Sequence, residues 1–509
     1  MPKARKRKSV EGLDAEDTYR DISIKVKLGR LRPSPDLRAV IEDATSRLQD
    51  SVATGLLLAN HTLIRELASG RFPDITSQTW WLHCIKIWGG SDARGAQREF
   101  DSKVQEAYET LKDRPGMSQV PMHLIVHTIN QIVVVLMANT WTHVAQSFHN
   151  LLRKAFQREL SIFETDVRKL SVKERSCARE CAMRHSLRTG ETSWDPAVQD
   201  DLRSHLERVY RPWTDKYGSV KDSQQIKKED CPELIRWMAE LAAHRDRCAV
   251  REDVIFYKGC LWTHRLIPLG SLKVRHILIT KYVFKNELLP LARRFRKSKT
   301  PNGPDPSFED YFPGLPKLKP CQGAVFANYF ATEGVSASLL YEKPVNVPMS
   351  EAVKKHKGFV AVEGQDMKSA HPPRLPQPGE HLIAIDPGRR DVVFGSVHNS
   401  DETVRMSTAQ LCHDSGRGWS KRQSEKVFSA ARHEDITLAE AKANLPSSKT
   451  TSLVAWGAFV AAYTPLLQVT LDVWKKKFFR KLLSGATERE TSVWTLYARR
   501  SRVAFEVRR

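Results

Sequence analysis

The chain has 509 residues, a formal charge of +22 and 41% hydrophobic content. Twelve Trp and nineteen Phe exclude a disordered polymer, and about 100–200 residues per domain implies three or four domains. The longest unbroken apolar run, Ile132–Ala138, falls far short of the ~20 residues of a bilayer span, so no membrane partner is expected.

The chain opens with Lys3, Arg5, Lys6, Arg7 and Lys8 and no apolar stretch behind them. This is not a secretory signal; it reads best as a nuclear-import signal, with a disordered basic arm on nucleic acid equally physical, and a nuclear location is expected. Asp21–Leu28 follows, with Ile22, Ile24, Val26 and Leu28 at period two, which predicts a strand with one buried face. From 36 to 250 the period becomes helical. Over Ile125–Leu160, Ile129, Ile132, Val133, Leu136, Trp141, Val144, Phe148, Leu151, Leu152 and Ala155 form one stripe, which is core. His143 and His149 beside it are expected to be surface or hydrogen-bonded residues.

The eight cysteines are scattered with no C-x-x-C, so no zinc site is visible and a reducing compartment is expected. Cys177, Cys181 and His185 share a helix face, but three ligands in line on one helix cannot enclose a tetrahedral metal without a fourth from elsewhere.

Residues 251–375 turn to short alternating stretches. Ala324–Tyr341 reads as a β-hairpin around Glu333-Gly334. Ser298–Gly323, with six prolines and three glycines, reads as a loop, and the proline-rich stretch 365–380 as a domain boundary. Basic residues cluster again in Lys273–Lys299, with Glu287 the one acid, and in Lys475–Arg509. A groove with such a surplus binds nucleic acid by releasing condensed counterions.

The segment 381–509 opens with an apolar strand ending in Asp386, a Pro-Gly turn, and a second strand over Val392–Val397. Thr403–Leu411 is a third candidate strand, and Ser452–Lys477 an apolar helix that Pro465 should kink. A carboxylate at the end of a buried strand calls for a partner. A strand–Asp–turn–strand order is how an RNase H-like fold begins, where the Asp binds Mg²⁺ for phosphodiester hydrolysis. An ordinary hairpin with a turn-capping Asp shares the D-P-G sequence. An actin-like ATPase would place small hydroxyl residues where Arg389 and Arg390 stand.

Ile383-Ala-Ile-Asp-Pro-Gly-Arg-Arg-Asp391 resembles the first RuvC motif of Fanzor proteins, the eukaryotic relatives of transposon-encoded TnpB nucleases. In the same order along the chain, Ala138–Phe148 is similar to the family's N-H-V helix. Arg265–Ile277 resembles its approach to the second wedge portion, and Thr332–Pro344 its T-D-G-V-S hairpin, with Glu333 in place of Asp. The resemblance implies an RNA-guided, Mg²⁺-dependent DNA endonuclease that binds a guide RNA and a double-stranded DNA target. It implies a multidomain α+β fold: a basic arm and first wedge strand (1–35), a helical recognition lobe (36–250), a β-rich wedge (251–375) and an RNase H-like RuvC domain (376–509). Asp386 would be catalytic and a metal ligand. Lys273, Arg275, Lys281, Arg293, Arg294, Arg389 and Arg390 would contact nucleic-acid backbone.

The family's active site also takes a second-motif Glu, a third-motif Asp and a zinc-binding C-x-x-C insert, and no segment of these 509 residues matches them. Glu506 has helix-end neighbours and does not fill the role. One carboxylate cannot hold two octahedral Mg²⁺ ions, so the active site is expected to be incomplete. The alternative is a non-catalytic nucleic-acid-binding remnant of a transposon protein.

Overall fold

The computed structural model describes residues 19–92, 101–117, 126–187, 193–217, 228–257, 259–261, 265–269, 276–289, 308–344, 361–363, 383–386, 391–397, 403–407, 410, 417–476 and 479. The chain is mixed helix and sheet, an α+β protein. Strand β1 (Tyr19–Lys27) leads into the helices α1 (Pro35–Ala68), α2 (Gln78–Lys86), α3 (Ser102–Leu111), α4 (Val126–Asp166), α5 (Val172–Leu187), α6 (Asp200–Tyr217) and α7 (Cys231–Cys248). Then come β2 (Ile277–Thr280), α8 (Lys281–Val283) with a π-helical continuation over Phe284–Leu288, and α9 (Phe308–Tyr311). Strands β3 (Val325–Thr332), β4 (Ser336–Pro344), β5 (Ala361–Glu363), β6 (Ile383–Asp386), β7 (Asp391–Val397) and β8 (Thr403–Ser407) follow. The last described elements are α10 (Arg417–Ala430), β9 (Arg432–His433), β10 (Ile436–Thr437), α11 (Leu438–Ala443) and α12 (Leu453–Lys475).

Two compact units divide the chain. One comprises residues Met1–Leu48, Lys273–Ala439 and Leu471–Arg509; the other comprises Gln49–Leu272 and Glu440–Thr470.

The first unit holds an antiparallel sheet in the order β2-β3-β4-β1-β5. β1 pairs with β4 along its whole length, from Tyr19↔Pro344 to Lys27↔Ser336. Ile22, Ile24, Val26 and Leu28 are buried, as their alternation predicts. The β3–β4 hairpin carries a bulge between Phe326 and Phe330, with Asn328 at φ 61°, a left-handed conformation that Asn tolerates.

The proline-rich stretch expected to be a loop departs from that expectation. It contains α9 and a 3₁₀ turn over Leu315–Leu318, because Phe308 and Phe312 anchor it beneath the sheet. Phe312 meets Phe330 edge-on at 5.1 Å and Phe308 stacks on Phe284 at 5.1 Å. Each such burial contributes roughly 1.5–3 kcal/mol, enough to order a segment whose composition reads as a breaker. Gly314 is required there: a Cβ would stand 1.9 Å from the Arg30 carbonyl oxygen.

A separate small sheet has the order β6-β7-β8, all antiparallel.

The second unit is helical, with α4 at its centre and α2, α5, α6 and α7 packed on it. The stripe predicted for α4 is buried except Trp141, which is half-buried. Phe148 packs on Trp237 of α7 at 4.8 Å. α7 starts with Pro at its first turn and Glu233 nearby, and ends on Arg245 and Arg247, so its charges follow the helix dipole. α12 runs through Pro465, and the backbone of Gly116 abuts its Thr464 carbonyl, where a Cβ would stand 2.1 Å away. By length and composition α12 is long enough and apolar enough to cross a membrane, although Gly457, Thr464, Pro465 and Gln468 break its apolar runs. Its Trp456, Val460 and Leu467 are buried in this fold.

Candidate functional site

The hairpin β6–β7 sets Asp386 as the last residue of β6, opposite Phe394. Asp391 opens β7, so the antiparallel register places both residues at the turn end of the small sheet. β8 adds to the far edge of β7, with Asp391↔Ser407 and Ser396↔Thr403 paired. A carboxylate oxygen is the hard donor that Mg²⁺ prefers, so Asp386 fits that ion by the kind of atom it offers.

Of the sequence-predicted nucleic-acid contacts, Lys281 is described: it opens α8, exposed, behind an N-cap in which Thr280 Oγ1 accepts from Val283 N. Lys273, Arg275, Arg293, Arg294, Arg389 and Arg390 lie outside the described residues, as do Lys3, Arg5, Lys6, Arg7 and Lys8 and the stretch 365–380.

The Thr332–Ser336 turn shows what Glu333 does. Gly334, at φ 89°, donates its N–H to Thr332 Oγ1 at 3.0 Å, and Ser336 N–H donates to Glu333 Oε1 at 3.0 Å. His276 Nε2 lies 2.8 Å from Oε2. Burial would raise this carboxyl, but His276 and Ser336 together hold it below the usual range. Glu333 therefore builds its own turn, a structural task local to residues 332–336.

The histidines beside the α4 stripe are hydrogen-bonded. His143 Nε2 lies 2.8 Å from the Arg265 carbonyl, and His149 Nδ1 lies 3.4 Å from that of Ala145. Cys177, Cys181 and His185 do lie along one helix, α5, but the His185 ring stacks on Trp194 at 5.0 Å and 14°.

A constellation that the sequence reading missed lies in the helical unit. Glu159 of α4, buried, places Oε1 2.9 Å from His244 Nε2 of α7 and Oε2 2.8 Å from His205 Nε2 of α6. One turn beyond His244, Cys248 Sγ lies 3.6 Å from His244 Nε2. Burial pushes the Glu159 carboxyl up, and the two imidazoles outweigh it, holding the group at about 2. His244 is raised to about 9 by the Cys248 sulfur and the Glu159 carboxylate. Next to Glu159, the fully buried Arg158 donates from Nη1 to the carbonyl of Cys260 at 2.9 Å and from Nη2 to that of Leu241 at 3.1 Å, while its Nε has no partner. The signal available in the sequence is His-x-x-x-Cys, an i,i+4 pair on one helix face.

No protein-family model matches this chain, and no curated protein does.

Proposed function

We propose that this chain is a Fanzor-like protein that binds a guide RNA and double-stranded DNA, with Asp386 as the first Mg²⁺-binding carboxylate of a RuvC-type nuclease centre in the nucleus. The observation that carries this reading is the β6–β7–β8 antiparallel sheet with Asp386 closing its first strand. An RNase H-like sheet begins with that order of strand, carboxylate, turn and strand. The charge of +22 favours the same partners, since base pairing would read sequence while the protein grips the backbone. In this reading residues 1–35 and 251–375 form the wedge, 36–250 the recognition lobe and 376–509 the nuclease portion.

The Mg²⁺ chemistry would supply an activated water and a stabilised leaving oxygen. Asp386 would hold the ion, and the Arg389 and Arg390 side chains following it would bind the scissile backbone. The second reading is a binder without cleavage. The charge of +22 supports it as well as it supports the first.

The test is to purify the full chain from cells and sequence the RNA bound to it. An enriched structured RNA is expected, and its absence sinks both readings. Matched DNA and Mg²⁺ are then added. Nicks abolished by Asp386→Ala support the nuclease; binding without nicks, unchanged in Asp386→Ala, selects the binder.

A further inference from the structure

The Glu159 constellation carries an inference independent of nucleic acid. Its ligand-type atoms, from Glu159, His244 and Cys248, all lie within 4.8 Å of one another. They span two helices and combine oxygen, nitrogen and sulfur. In a tetrahedral zinc site, with Zn–N near 2.0 Å and Zn–S near 2.3 Å, the N···S edge is about 3.6 Å and the N···O edge about 3.4 Å. The Cys248 Sγ to His244 Nε2 separation of 3.6 Å is already such an edge. The carboxylate contact at 2.9 Å has to open by roughly half an ångström to reach one. Sγ is also 3.7 Å from Nδ1, so the ring turns about its Cβ–Cγ bond to aim one nitrogen at the ion.

Charge agrees with geometry. A thiolate and a carboxylate neutralise a divalent cation, which removes the cost of burying either anion alone. A plain Glu–His ion pair accounts for less, because it needs no sulfur beside the imidazole, and Cys248 Sγ stands 3.6 Å from His244 Nε2. Carboxylates that bind zinc through one oxygen are held by a second group on the other, and His205 stands there.

We propose that Glu159, His244 and Cys248 bind one Zn²⁺ between α4 and α7, with His205 as the positioning residue that holds the second carboxylate oxygen. Three protein ligands leave the fourth position to water.

The experiment strips the full chain with chelator and titrates it with Co²⁺, then displaces the cobalt with Zn²⁺. One equivalent is expected, with tetrahedral ligand-field bands and an intense thiolate-to-cobalt band. Cys248→Ser should lose the thiolate band. Glu159→Gln and His244→Gln should weaken binding by about a hundredfold or more. His205→Gln should weaken it by roughly ten- to a hundredfold with an unchanged spectrum. Cys177→Ser and Cys181→Ser should change nothing. Circular dichroism verifies the fold of each variant; if Cys248→Ser is unfolded, His244→Gln and Glu159→Gln decide. A thiolate band that survives in folded Cys248→Ser, or no uptake of one equivalent by the native chain, overturns the site. A spectrum altered by His205→Gln makes His205 a ligand and overturns its positioning role.

Discussion

Two buried glutamates, each facing a histidine, do different work. Glu333 sits in a turn with unmet backbone donors, and its Oε1 accepts the Ser336 N–H three residues on. Its histidine, His276, is half in solvent. Glu159 sits inside a 41-residue helix, about two turns from its C-terminal end, where backbone groups are still met by the helix itself. Its oxygens meet imidazoles from α6 and α7. A carboxylate that completes its own loop is explained by local folding. One that gathers histidines and a thiol from other helices needs a reason beyond its own segment.

The largest expected effect breaks the second case. Glu159→Ala leaves the His244 imidazolium facing a buried gap without its counter-charge, and should cost about 3–5 kcal/mol in chemical denaturation of the metal-free chain. A loss below about 1 kcal/mol would show that the contacts carry no energy and that the contrast with Glu333 is one of geometry alone.

A fourth histidine sharpens the contrast because arginines, and not a carboxylate, act on it. His61 of α1 is buried, its Nδ1 has no hydrogen-bond partner, and burial, then Arg65 and Arg114, lower it to about 4. The unfolded chain takes up this proton near pH 6.5, the folded one only near 4. Stability is therefore full above about pH 6.5 and falls as pH drops towards 4, by up to about 3 kcal/mol. Urea midpoints between pH 7 and 4.5 check this, and His61→Leu should flatten the slope. An unchanged slope in His61→Leu assigns it to other groups.

These side chains differ in how visible they are in the sequence. Ile22, Ile24, Val26 and Leu28 announce β1 because a sheet face repeats every two residues. The α4 stripe is equally plain. Asp386 at the end of β6 is legible because the apolar run stops on it. Phe308 and Phe312 are hidden, because composition describes the prolines around them and not the aromatic pocket they enter. The Glu159 group is hidden for another reason. Its members come from three helices, and helical periodicity gives the face each presents but not which faces meet. Glu333 matches a hairpin motif in sequence, yet its task as acceptor for Ser336 depends on a backbone that only coordinates supply.

The smallest expected effect tests that task. Glu333→Gln keeps a carbonyl-type oxygen that can accept the Ser336 N–H and removes only the charge facing His276. Because His276 is 49% exposed in its side chain, solvent screens much of that attraction. The cost should stay near 0.5–1 kcal/mol, on the order of one exposed pair. Glu333→Ala removes the acceptor as well and strands the Ser336 N–H in a buried turn, which should add about 1–3 kcal/mol. Equal losses in the two variants would mean that the charge and not the turn holds Glu333, which would make it resemble Glu159 after all.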